Sequence, residues 1–239
     1  MSAMANESTG VDWRDLGQQV REETEARFQK EMDLAEKLVN HLLDGLRSLQ
    51  EPNADRPVQR LVRLLVIRAV HSLNAAFDLA FHGHYPEAAS LTRTAYECWL
   101  AGAYVCCIPS EGPRLARRGT TWPQPACMRQ LVAAHLSKDS QESSLLRDAL
   151  GKMYSKLCKL VHVSFSSLAS ALDDKGGLQY GPFLSSQRLL ICTDFAYRTS
   201  TLLNCLLEQA FPSLGGTGWS ESNTDLARQV NDWARQASP

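Results

Sequence analysis

His82-Gly83-His84-Tyr85-Pro86-Glu87-Ala88 separates two long apolar runs, and its reading settles the class of fold. On its N-terminal side residues 57–81 are almost continuously apolar. On its C-terminal side residues 87–108 are apolar too, and Glu97 is the one charge in their second half. A glycine between such runs reads as a turn, and a proline just beyond it suits the first turn of a new helix. Two apolar helices joined in this way form an αα-hairpin, which other helices must cover because neither partner has much polar surface to offer water. The expected fold class is therefore all-α, a bundle of five to seven helices organised on a long central αα-hairpin.

Within the first of these helices Arg60, Arg63, His71, Asn74, Asp78 and His82 recur at helical spacings and make one narrow polar stripe. A helix with so little polar surface is expected at the centre of its bundle. Arg68 and His71 also share a face. They read either as a seam turned to water or as part of an inward ligand-binding pocket.

Upstream, residues 11–50 form one charged helix candidate. Its first half is polar, with Val20, Phe28 and Met32 as sparse apolar contacts, and its second half carries the stripe Leu38, Leu42, Leu46 and Leu49. An unbroken helix of about 40 residues would reach about 60 Å, longer than a compact domain. A break near Gly17 is expected, or a protruding half that packs on a second copy of the chain. Residues 1–10 are polar and small, expected to be disordered, and resemble neither a signal peptide nor an anchor.

Downstream, Pro109, Gly112 and Pro113 stop the second hairpin helix. The loop to Pro125 holds Arg114, Arg117, Arg118 and Trp122. A short helix is predicted over 126–136 and a longer one over 142–172, with Leu146, Leu150, Met153, Leu157, Val161 and Leu168 on one face. After a Gly-rich loop, Ser185-Ser186 caps a helix reaching Phe211, its face drawn through Leu189, Ile191, Phe195, Leu202, Cys205 and Leu206. A last helix is capped by Asn223 or Thr224. The domain reading is a long N-terminal helix (11–56, a candidate oligomerisation element), a bundle (57–211), and a loop with a C-terminal helix (212–239).

The chain has 239 residues, enough for a substantial core, and its formal net charge of −1 predicts no general attraction to nucleic acid or acidic membranes. The longest apolar run, Cys98 to Ile108, falls short of the roughly 20 residues that span a bilayer, so no membrane association is expected. Seven cysteines without a CxxC pair, most inside helical apolar patterns, suggest free thiols in a reducing cytoplasm. No cofactor and no metal site is expected. His82 and His84 have HxH spacing, but in a turn between helices that spacing has no strong metal meaning.

Arg93 and Glu97 lie four apart and share a helix face, surrounded by Ala95, Cys98, Trp99 and Leu100. A carboxylate in such a setting must be paired or become protonated, so the pair reads as a buried network or a site that uses one. His162 sits in the apolar run Leu157-Cys158-Lys159-Leu160-Val161-His162. It reads as a hydrogen-bonded core residue, with a Cys158–His162 dyad or half metal site as the sharper alternative. An inward pocket shared by Arg68, His71, Arg93, Glu97 and His162 is the candidate ligand site. The Arg114, Arg117 and Arg118 loop is the candidate nucleic-acid contact, against the plainer reading of three solvated arginines.

Two stretches carry a resemblance to a known group. The Gly83-x-Tyr85-x-Glu87-Ala88 turn resembles a tetratricopeptide repeat, but no second copy follows at the period such repeats need. The longer pattern Tyr85-x-Glu87-Ala88-x-x-Leu91-x-Arg93-x-x-x-Glu97 resembles the second-helix signature of an uncharacterised bacterial helical-bundle family related to HEPN domains. Tyr154-x-x-Leu157-Cys158-x-x-Val161-His162-x-Ser164 resembles that family's later signature, with Cys158 in place of its usual serine.

That resemblance implies a helical bundle, often a homodimer, in a superfamily of RNase toxins, antiphage proteins and non-catalytic members. The RNase members carry Arg, four to six residues, then His. Arg129 and His135 are the match here, a spacing that chance supplies about once in a chain with this many arginines and histidines. The leading expectation is a non-catalytic or ligand-binding HEPN-like bundle acting as a homo-oligomeric partner, in bacterial defence or toxin–antitoxin biology. A metal-independent RNase is the alternative, with His162 or His135 as general acid/base and Arg93 or Arg129 on the phosphate. A small-molecule sensor with a polar pocket in the bundle is the third. RNA or a protein is the partner class considered beside self-association.

Overall fold

The computed structural model describes residues 13–49, 56–117, 121–137, 139–161 and 181–237. Among them all regular structure is helical: α1 (Trp13–Ser48), α2 (Pro57–Phe81), α3 (Tyr85–Cys107), the single turn α4 (Gly112–Leu115), α5 (Pro125–Leu136), α6 (Ser140–Val161), α7 (Ser186–Ala210) and α8 (Gly218–Ala237). The protein is an all-α bundle, with eight α-helices among the described residues, the single turn α4 included.

α3 is the helix at the centre. It packs on α2, α5, α6 and α7, and from Cys98 to Val105 every residue is buried, all the way round the helix. α2 packs on α1, α3, α4 and α7. It buries Val62, Val66, Ala69, Val70, Leu73, Ala76, Phe77, Ala80 and Phe81, which recur at three and four and so define one face.

α2 is less central than its composition suggested. Leu64 is 64% exposed, and Arg60, Arg68, His71, Asn74 and Asp78 lie on the solvent side. By length and apolar content α2 also qualifies as long enough to cross a membrane, and half of its apolar window is buried inside the bundle. The expectation that no segment reaches that length is corrected on this point. The polar stripe had broken the run for a reader counting consecutive apolar residues, whereas an average over the helix absorbs it.

The long first helix bends, but not at Gly17. Its φ/ψ depart from helical values at Phe28 (−131°, 31°). Thr24, one turn earlier and fully buried, donates its hydroxyl to the Val20 carbonyl, the back-bonding pattern that tends to bend helices. Gly17 is itself buried, close to Pro182. With Gly17, Val20 and Thr24 all buried within the same chain, the first half of α1 does not protrude, and helix length no longer argues for a second copy.

The turn between α2 and α3 is tightly determined. Gly83 has φ +81°, which L side chains rarely adopt, and a Cβ there would meet the Phe183 backbone, with its oxygen at 2.6 Å and its nitrogen at 2.7 Å. Tyr85, the first residue of α3, packs edge-on against Phe183 at 5.8 Å, and its hydroxyl accepts a hydrogen bond from the Ser185 amide at 2.9 Å. Ser185 caps α7 as expected, taking the Arg188 amide on its hydroxyl. The hairpin corner and the start of α7 are therefore one packed unit, although about 100 residues separate them in sequence.

α7 buries more than the face expected. Leu189, Phe195 and Leu206 of that face are buried, but Ile191 is 39% exposed and Cys205 is exposed, while Cys192, Thr193, Ala196, Tyr197, Thr199, Ser200, Leu203 and Asn204 are buried as well. α7 is wedged among α1, α2, α3 and α8, so its buried arc is wide, and a narrow apolar stripe does not locate its centre. All seven cysteines are free thiols.

α8 begins earlier than expected, and Asn223 is not a cap. It lies inside the helix, buried, with its side-chain amide donating to Glu208 at 3.3 Å. What holds the first turn is Trp219. Its indole stacks on the His41 ring at 4.5 Å and 5°, and its Nε1–H donates to the His41 carbonyl at 2.9 Å. The ring fills the space beside Gly45, where any Cβ would come within 2.8 Å of it.

Gly83→Ala adds a strained φ and a backbone clash, and is expected to destabilise the fold by about 2–4 kcal/mol in urea unfolding. His41 supplies a pH prediction. It is buried, its Nε2 has no hydrogen-bond partner, and burial lowers its pKa against the smaller opposing pull of Asp44. A histidine whose folded pKa is depressed binds its proton more readily when unfolded. Its contribution is therefore complete above the unfolded pKa of about 6.5 and declines as pH falls below that value. Melting temperature should drop from pH 7 to pH 5, and His41→Gln should flatten that part of the profile.

Candidate functional site

Helical geometry alone places Arg93 and Glu97 one turn apart on α3, and the Arg93 Nε donates to Glu97 Oε1 at 2.9 Å. The side chains are 23% and 39% exposed, so this is a half-buried pair at the edge of the core rather than a deeply buried one. Tyr154 of α6 completes it. The Tyr154 hydroxyl donates to the same Glu97 oxygen at 3.1 Å and accepts from Arg93 Nη2 at 3.2 Å. Three side chains thus close a ring of hydrogen bonds across the α3–α6 contact.

α5 adds a second cation. The Arg129 guanidinium carbon lies 4.8 Å from the centre of the Tyr154 ring, and that of Arg93 lies 5.3 Å from the same point. Arg129 Nη1 is buried and has no hydrogen-bond partner, and among the described residues no carboxylate pairs with Arg129. Behind them Tyr96, fully buried, donates its hydroxyl to the Leu150 carbonyl at 3.1 Å and packs its ring 5.9 Å from Tyr154. That bond fixes the height of α6 against α3 and so sets where Tyr154 stands.

The electrostatics follow from this packing. Burial works against the charged form of Arg93, but the hydrogen bond and the charge of Glu97 outweigh it and raise its pKa. Burial, and then the Glu97 carboxylate, push the Tyr154 phenol above its ordinary range, so it remains a hydrogen-bond donor well past neutrality. Neither group is poised to exchange a proton near pH 7.

Of the residues singled out in sequence, Arg93, Glu97 and Arg129 come together. Arg68 and His71 do not join them and are exposed on the outer face of α2, so the polar seam faces water. The inward pocket including them is corrected accordingly. α3 and α7 already take the buried side of α2, which leaves the stripe outward. His135 is exposed in the last turn of α5. It stands six residues beyond Arg129, and six residues rotate a helix by about 240°, so the two point in different directions.

His162 and Arg118 lie outside the described residues. Arg114 is paired with Glu111 one turn before it, and Arg117 is exposed. His82 bonds through Nδ1 to the Asp78 carbonyl at 2.7 Å. Among the described residues no group of three His, Cys, Asp or Glu side chains is placed to hold a metal ion.

Tyr154 is the member that residue-by-residue reading missed. It entered only through the resemblance, although its spacing from Leu150, Leu157 and Cys158 puts it on the flank of α6's buried stripe. An open groove of about 850 Å³ runs between α6, α7 and α8, with Leu160, Phe195 and Trp233 inside and Lys156, Lys159 and Arg198 at its rim. Its α6 residues lie on the side of that helix away from Tyr154, so the groove and the cluster are separate. Comparison of the chain with protein-family models, curated proteins and solved structures finds no match.

Tyr154→Phe keeps the ring but removes the hydroxyl shared by Arg93 and Glu97. It is expected to cost about 1 kcal/mol in chemical denaturation. A double-mutant cycle of Tyr154→Phe with Glu97→Gln should give a coupling of about 0.5 kcal/mol or more, and additivity within error would contradict the closed ring.

Proposed function

We propose that this protein is a non-catalytic, ligand-binding helical bundle of the HEPN-like kind that its sequence resembles, with the Arg93–Glu97–Tyr154–Arg129 cluster as its recognition site. The observation that carries this reading is the closed ring of Arg93, Glu97 and Tyr154. One oxygen of the Glu97 carboxylate takes two donors, and burial together with that carboxylate keeps the Tyr154 phenol protonated. Such a site holds and orients.

The homo-oligomeric, cytoplasmic partner role and the setting in bacterial defence or toxin–antitoxin biology come from the resemblance and belong to the same proposal. The RNase reading is its main competitor, because two arginines meeting at one ring suit a phosphate contact. Purified protein incubated with tRNA and total RNA in EDTA is expected to leave both intact. Cleavage that disappears in His135→Ala or His162→Ala would overturn the non-catalytic reading. Light scattering at micromolar concentration is expected to give at least twice the chain mass, and a monomer would remove the oligomer from the proposal.

A further inference from the structure

We infer that Arg93 and Arg129, both held against the ring of Tyr154, form a clamp for an oxyanion, the phosphoryl or carboxylate group of a small ligand or partner. This rests on the ligand-binding reading above and names its chemical class.

The argument is one of charge and unmet hydrogen bonds. The cluster holds two guanidiniums and one carboxylate. Glu97 already takes the bonds of both Arg93 and Tyr154 on one oxygen, Oε1. Among the described residues Arg129 shares no hydrogen bond or ion pair with a carboxylate, and its Nη1 is turned away from solvent with no acceptor. One positive charge is therefore uncompensated among the described members, beside apolar and aromatic packing supplied by Tyr96 and Trp99.

A buried, unpaired donor is costly, and native structures seldom keep one without a use. The plainer account is that the Tyr154 ring satisfies Arg129 through a cation–π contact. That contact orients the guanidinium but accepts no hydrogen bond from its in-plane N–H groups. A planar guanidinium fork matches the paired oxygens of carboxylate or phosphate. Arg93, four residues from Glu97, adds a second fixed positive charge at the same ring. The two arginines come from α3 and α5, helices that pack on each other and on α6, so the clamp is rigid rather than assembled on a loop.

The test is calorimetry and thermal melting of the full chain with sodium phosphate, and separately with sodium acetate, at an ionic strength held constant with chloride. At least one of the two is expected to bind saturably and to raise the melting temperature. Arg129→Gln should weaken that binding about tenfold or more, whereas Arg68→Gln, exposed on α2, should not change it. If Arg129→Gln does not fold, Arg129→Lys serves in its place, since it keeps the charge and loses the fork.

Acetate binding alone assigns a carboxylate ligand, and phosphate binding alone a phosphoryl group; either supports the clamp. No saturable shift in the wild-type chain, or equal shifts in wild type and Arg129→Gln, overturns it and leaves Arg129 a structural cation–π residue. RNA cleavage, by contrast, would defeat the non-catalytic reading and leave the clamp standing, so the two failures are told apart.

Discussion

The rest of the bundle depends on the contact between Gly83 and the backbone of Phe183. Only a residue without a Cβ fits there, because the Phe183 peptide occupies the space and φ is positive. From that contact the chain takes three bearings at once. α2 ends, α3 starts with its first residue bonded to Ser185, and Ser185 starts α7. α7 then packs against both hairpin helices. Because α3 is anchored at its first residue, its rotation is set, and with it the direction in which Arg93 and Glu97 leave the helix two and three turns later.

The opposite side of α3 shows why those two charges can sit at the edge of so apolar a helix. α6 brings a tyrosine whose hydroxyl serves both, and the Tyr96–Leu150 bond fixes its position. The pair is half exposed, so its electrostatic contribution is modest and screened. Its value lies in geometry, since a shared hydroxyl is satisfied in only one register of α6 on α3. Arg129 is the member this explanation leaves over, its charge answered by a ring but by no carboxylate among the described residues.

A second contact of this type holds α1 and α8 together. Trp219 lies flat on His41 in the space that Gly45 leaves open, and Trp233 further along α8 donates to Glu31 and meets the Tyr197 ring. These contacts connect α8 to α1 and to α7. The buried His41 makes the first of them the acid-sensitive one.

Some of this could be read without coordinates. Strings of apolar residues at three and four spacing define helices locally, and glycine and proline mark their ends, so the all-α class and the α2–α3 turn were evident from residues 57–108. So was the Arg93–Glu97 pair, since residues four apart on a helix must be neighbours. What depended on the rotation of one helix against another was not evident. Only the tertiary structure turned Arg68 and His71 to water, buried Asn223 inside α8, moved the bend of α1 to Phe28, and brought Tyr154 and Arg129 to Arg93. Helical periodicity specifies which residues share a face, whereas the partner that meets each face is chosen by packing among helices far apart in the chain, and that choice built the site.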